Sequence, residues 1–156
     1  MFQTDESSFK AFSSPLIGLP VTHVWRGYGS AIFLEFGDLR MRERLDRSAG
    51  KNPAGEMTLM IQWSWRIEGK RRIWYGSWSD ENRWEKYLDK LLRATVLEIK
   101  RFGRLPEIDL SLSNGLHVVS MMTAEGDPQW ALLDRRANLT KSICVKAGRL
   151  CLDVGN

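Results

Sequence analysis

The chain has 156 residues, 23 basic and 19 acidic, a formal net charge of +4, and 43% hydrophobic and 27% charged side chains. These values fit one globular domain able to bury a core of its own, and they exclude a disordered polyelectrolyte. No run approaches the ~20 apolar residues of a membrane-spanning helix, and the basic residues are spread along the chain rather than gathered into the stripe expected of a nucleic-acid binder.

Residues 1–15 are polar and Ser-rich, with neither a basic start nor a long apolar run. They are expected to form a flexible N-terminal segment rather than a secretory leader, followed by a single domain over 16–156. With two Cys and no leader, the expected location is cytoplasmic and the thiols reduced. Residues 20–27 and 30–37 alternate as a hairpin, with Gly27 and Gly29 at its turn. Residues 39–55 read as a long, charged, exposed loop without apolar anchors. From Glu56 to Glu68, Met57, Leu59, Ile61, Trp63, Trp65 and Ile67 fall on one face and polar residues on the other, apart from Met60. Period 2 over that length predicts an antiparallel strand that crosses the molecule or bends at a bulge.

Gly69-Lys70 is a turn before a partner strand, Arg71 to Tyr75. Ser77 or Ser79 can cap a helix with Asp80 and Glu81 in its first turn. Trp84, Tyr87, Leu88, Leu91 and Leu92 then recur at helical spacing, which predicts one amphipathic helix over about 80–93. Strands follow at 95–102 and 107–113, a tight turn at Asn114-Gly115, then strands over Leu116–Met122 and 129–134. The chain closes in a hairpin, Ile143–Lys146 and Arg149–Val154, about Ala147-Gly148. That turn places Cys144 opposite Cys151, with Cα atoms ~5.5 Å apart and within disulfide reach; two small buried thiols are the favoured reading.

The block 20–38 reads like the block 95–114: Val21, Val24 and Arg26 lead into Ile32, Leu34, Phe36 and Asp38 as Val96, Ile99 and Arg101 lead into Ile108, Leu110, Leu112 and Asn114. Alternating hairpins match at apolar positions by default, so the weight rests on the Arg26/Arg101 and Asp38/Asn114 pairings. The expected fold is therefore α+β: mostly antiparallel sheet, two related β units in halves of about 16–78 and 91–154, and one helix between them. The second unit turns at Asn114-Gly115 where the first carries the loop 39–55, and an expanded turn on one copy is where acquired function is expected.

Chemistry is thinly marked. His23 and His117 show no metal-ligand spacing, no nucleophile elbow or phosphate loop occurs, and Gly27-Tyr28-Gly29 is too short for a dinucleotide fingerprint. No cofactor, metal or catalytic residue is expected. Seven Trp suggest an interaction surface, because Trp and Arg are the commonest interface anchors. The candidate binding residues are Trp25, Ser64, Arg66, Glu68, Trp74, Ser77, Trp78 and Asp80. Trp63, Trp65 and Trp84 fall on apolar faces and are expected in the core.

The run Trp65-Arg66-Ile67-Glu68, then Gly76-Ser77 with Asp80, a helix, Leu112-Ser113-Asn114-Gly115-Leu116 and a late Trp130 together resemble small uncharacterised bacterial β-rich proteins, some similar to immunity proteins of toxin systems. The resemblance spans about 56–132 and implies a β-rich fold without catalytic residues. The expected function is a non-enzymatic module that binds another protein. The alternatives are an anion or nucleic-acid binder using Arg66, Arg71, Arg72 and the basic loop 40–55, and a small-ligand β-barrel with a Trp-lined cavity. Oligomeric state is not legible.

Overall fold

Alternating apolar positions put most of the chain into antiparallel strands, and the computed structural model describes residues 2–42 and 49–155. The strands are β1 (Phe2–Gln3), β2 (Val21–Arg26), β3 (Ile32–Phe36), β4 (Met57–Ile61), β5 (Trp65–Glu68), β6 (Ile73–Gly76), β7 (Val96–Phe102), β8 (Glu107–Leu112), β9 (His117–Ser120), β10 (Trp130–Asp134), β11 (Lys141–Lys146) and β12 (Arg149–Val154). Two short helices join them, α1 (Glu6–Ser13) and α2 (Trp84–Leu88). One sheet runs β1-β12-β11-β10-β4-β3-β2 and the other β6-β5-β9-β8-β7. The main hydrophobic core has Trp65, Trp84 and Trp130 fully buried in it, and a smaller second cluster gathers Met60, Ala131 and Cys144. The fold is α+β and mostly antiparallel, as expected.

Three details differ from expectation. The N-terminal segment is not loose. Asp5 caps α1, its carboxylate accepting from the Ser8 N–H at 2.9 Å, and that bond holds the Asp5 carboxyl below the usual carboxylate range. The helix buries Phe9 edge-on against Trp130, with ring centroids 6.0 Å apart. Among the described residues there are thus two helices rather than one, and the expected helix over 80–93 is α only across Trp84–Leu88, with 3₁₀ turns at Glu81–Arg83 and Asp89–Leu91. The long strand over 56–68 is interrupted at 62–64. Gln62 N–H donates to the Gln129 carbonyl and the Ser64 carbonyl accepts from Met121, so the chain leaves one sheet and enters the other. Period 2 records which side of a strand is wet, not which sheet the strand belongs to. Trp63, expected in the core, sits at this crossing and is 42% exposed.

The two crossings are alike. β2-β3-β4 and β7-β8-β9 are both meanders, and each next strand, β5 or β10, pairs with the third strand of the opposite meander. β2 and β7 each carry a register shift against their partner, between Val21 and His23 and between Val96 and Glu98. Gly18 and Arg93, 75 positions apart, both have positive φ, at 87° and 72°. Around them the edges of β2 and β7 meet in four backbone bonds that interchange under the same shift: Val21 N–H to Ala94 O with Val96 N–H to Leu19 O, and Gly18 N–H to Val96 O with Arg93 N–H to Val21 O.

Among side chains the two ion pairs and the Phe9 and Trp84 rings keep this shift, whereas Trp65 and Trp130 lie 65 positions apart and Ser30 and Pro106 lie 76 apart. Arg26 pairs with Glu81 at 3.4 Å, and Arg101 with Glu6 at 2.6 Å. Trp65 meets Trp84 edge-on at 5.0 Å as Trp130 meets Phe9. The Trp65 indole donates to the Ser30 carbonyl, and that of Trp130 to the Pro106 carbonyl.

Candidate functional site

Half of the candidate residues come together at the first crossing. Ser64, Arg66, Ser77 and Trp78 line a groove of about 260 Å³ with Ile73 and Met121. A second depression of about 260 Å³ shares Ser64, Ser77, Trp78 and Thr123 and adds Trp63 and Ser30. The two form one continuous trough. Its backbone is held firmly: the Ser30 hydroxyl donates to the Trp63 carbonyl at 2.5 Å, and Ser77 exchanges bonds with Trp65, N–H to carbonyl at 2.9 Å and Trp65 N–H to hydroxyl at 3.2 Å. Trp78 is 92% exposed. An indole left in water beside another half-exposed indole is an unfavourable arrangement for a surface with nothing to bind.

The other candidates have structural duties. Arg66 donates from Nε to Glu68 at 2.6 Å, so this pair forms a charged border to the groove. Asp80 caps the turn before α2, accepting from Asn82 N–H at 3.1 Å. Trp74 lies against Gly69, with Arg72 stacked 5.9 Å from its ring centroid. Trp25 lies outside this trough. It is 6% exposed, stacks on Phe33 at 3.8 Å and donates to Glu35. Its weak sequence pattern reflects a buried polar network on a strand side that alternation marks as wet.

That network went unseen in the sequence. Glu35 is fully buried. Its carboxylate accepts from Trp25 Nε1 at 3.2 Å, from Gly55 N–H at 3.1 Å and from the Thr58 hydroxyl at 2.5 Å. Arg135 donates to the Thr58 hydroxyl and stands 3.8 Å from Glu35. Burial holds the Arg135 guanidinium pKa below its ordinary value; Glu35 opposes that shift and Arg42 adds to it. Gly55 must be glycine here, since a Cβ would come within 2.6 Å of the Phe36 carbonyl oxygen. The loop expected to lack anchors is therefore tied down at both ends: Arg40 and Ala54 bridge, and Ala49 and Ala54 are buried. Residues 43–48 of that loop lie outside the described residues.

A second unexpected cluster is Asp109, Ser111 and His117 on adjacent strands. Both Ser111 Oγ, at 3.2 Å, and Asp109 Oδ1, at 2.9 Å, contact the same imidazole nitrogen, Nδ1. A relay of Ser, His and Asp needs the two partners on opposite nitrogens, so this grouping is a cross-strand hydrogen-bond cluster and not a nucleophile. Among the described residues no group of His, Cys, Asp and Glu could hold a metal ion. Cys144 and Cys151 pair across the closing hairpin as the turn geometry requires, as free thiols, with burial pushing the Cys144 thiol up.

No protein-family model matches the chain, and no curated protein or solved structure matches it. No helix among the described residues is long and apolar enough to cross a membrane.

Proposed function

We propose that the chain is a non-enzymatic binding module, made of two copies of one unit, which takes an extended apolar segment of another protein in the groove beside Trp63 and Trp78. One observation carries this reading: two indoles, one almost wholly in water, flank a trough walled by Ile73 and Met121 whose backbone is pinned by Ser30 and Ser77. Rigid aromatic anchors over a preformed groove bind with little loss of side-chain entropy. The shared shift of 75 residues, which relates the caps Asp5 and Asp80, the two ion pairs, the Phe9 and Trp84 rings and the edge contacts, supports the duplication. The trough lies at the first crossing. At the second, the corresponding depression is lined by Glu107, Glu125 and Gln129 and lacks tryptophan.

A peptide-display selection on the wild-type protein tests this, with counter-selection on a Trp63→Ser/Trp78→Ser double variant. The expected winners carry aromatic or branched apolar anchors at alternate positions and do not bind the double variant. Winners that bind both proteins alike would place the binding surface elsewhere.

A further inference from the structure

A depression of about 460 Å³ lies beside the bridged residues Arg40 and Ala54, lined by Arg40, Met41, Arg42, Ala54, Arg135 and Arg136 among others. This volume lies in the range of small-molecule sites. We propose that it is a binding site for a small organic oxyanion, a phosphate ester or a carboxylate, gripped by Arg40, Arg42 and Arg135.

The four guanidiniums are not equivalent. Arg136 is committed to Asp134 through two bonds of 2.9 and 2.8 Å, a closed fork. Arg42 donates from Nε to the Asn52 carbonyl at 3.0 Å, and its guanidinium lies 5.8 Å from the Trp25 ring centroid. Both of these partners are neutral groups that orient the guanidinium. Arg135 is three-quarters buried, and among the described residues its close carboxylate is Glu35, which already accepts from three other donors. Glu56, the acidic residue in the lining, is turned to the backbone and accepts from Asp38 N–H at 2.8 Å. Arg42 and Arg135 therefore stand as like charges, one of them desolvated, at the wall of an open depression. An oxyanion between them would relieve their repulsion, and the planar fork of each suits two oxygens of a phosphate or carboxylate. Met41 and Ala54 offer apolar surface to the organic part of such a ligand.

The fold gives the site a reason to exist on one half only. In the second half, Ser111 and His117 occupy the ladder position that Glu35 and Thr58 hold in the first, and the chain turns back at once through Asn114-Gly115. The buried carboxylate, its donors and the arginine wall occur together with the expanded loop.

The site is tested by thermal shift at constant ionic strength, titrating ribose 5-phosphate, inorganic phosphate and succinate separately against a sodium chloride control. Wild-type protein is expected to show a saturable rise with at least one of these anions. The strongest response identifies the head group, and a response to ribose 5-phosphate above that to inorganic phosphate shows that the organic part contributes. An Arg40→Gln/Arg42→Gln double variant, which leaves Glu35, Thr58 and Arg135 in place, should bind at least tenfold more weakly, while Trp63→Ser/Trp78→Ser should bind as wild type. Arg135→Lys gives a third reading that keeps the charge and removes the fork, and it should also weaken binding. No saturable response to any anion, a rise equal to that from chloride, or unchanged affinity in the Arg40/Arg42 double variant would overturn the proposal.

Discussion

The connection between β3 and β4 and the one between β8 and β9 join equivalent strands and solve the same problem in opposite ways. At Asn114-Gly115 the chain reverses in two residues, with Gly115 at φ 84°, and the polar side of the ladder carries Ser111 and His117 in partial contact with water. At the other connection the chain runs out through Arg40 and returns at Ala54, and the matching ladder position holds a carboxylate with no exposure at all. A short turn needs only glycine and hydrogen bonds to itself. A long excursion needs an internal anchor, and Glu35 supplies it by accepting from Gly55 N–H at the point of return. The two meanders share a strand order, and they differ in this connection.

The largest effects should fall on what the halves share. Phe9→Ala and Trp84→Ala remove equivalent aromatic rings packed edge-on against Trp130 and Trp65. Each should cost about 3–5 kcal/mol in urea unfolding. A cost near zero for Phe9→Ala alone would show that α1 is an accessory and not the counterpart of the segment around α2.

Next comes the point of divergence. Glu35→Ala strands the Trp25 indole N–H and the Gly55 N–H and leaves Arg135 without its nearest countercharge, for roughly 3 kcal/mol. Ser111→Ala, at the equivalent position, is half-buried and should change stability by less than about 1 kcal/mol. Equal effects would remove the distinction between an anchored and an unanchored connection.

Smaller effects separate the two inter-half ion pairs. Arg26 bridges to Glu81 and also lies 4.2 Å from the Trp84 ring centroid. Arg26→Gln should cost about 1–2 kcal/mol. Arg101 bridges only to Glu6, and Arg101→Gln should cost under about 1 kcal/mol by the same measurement.

The smallest effect is a pH dependence. The bonds from Arg136 hold the Asp134 carboxyl below the usual carboxylate range. A lowered folded pKa means that the ionised form is preferred in the native state, so the stability gained is present above the unfolded value of ~3.9 and is lost as pH falls through the folded value. Asp134→Asn should therefore be less stable than wild type by under about 1 kcal/mol between pH 5 and 7, given partial exposure of the pair. The gap should close below about pH 4 in parallel unfolding curves.

Local geometry was legible in the sequence wherever two residues decide a turn. Ala147-Gly148 set the closing hairpin, with Cys144 opposite Cys151, and Asn114-Gly115 set the tight turn. The Arg26/Arg101 pairing was visible as a pattern, although its partners, Glu81 and Glu6, were not, because they lie across the molecule. The exchange of strands at 62–64 left no trace, since alternation continues in phase through it. Glu35 escaped for a related reason: at an alternating position it reads as a solvated side chain, and only the approach of Gly55, Thr58 and Arg135 from distant segments buries it. Of the candidate residues, Ser64, Arg66, Ser77 and Trp78 share one groove, while Trp25 takes part in the buried network around Glu35.

The central claim is the proposal that the first crossing carries a docking groove held by indoles rather than by charge. Its most direct test is the affinity of one selected peptide at low and at physiological salt, for the wild type and for Trp63→Ser/Trp78→Ser. The account predicts a shallow salt dependence and loss of binding in the double variant, because apolar contacts release few counterions. A steep fall in affinity with salt, or full binding by the double variant, would contradict it.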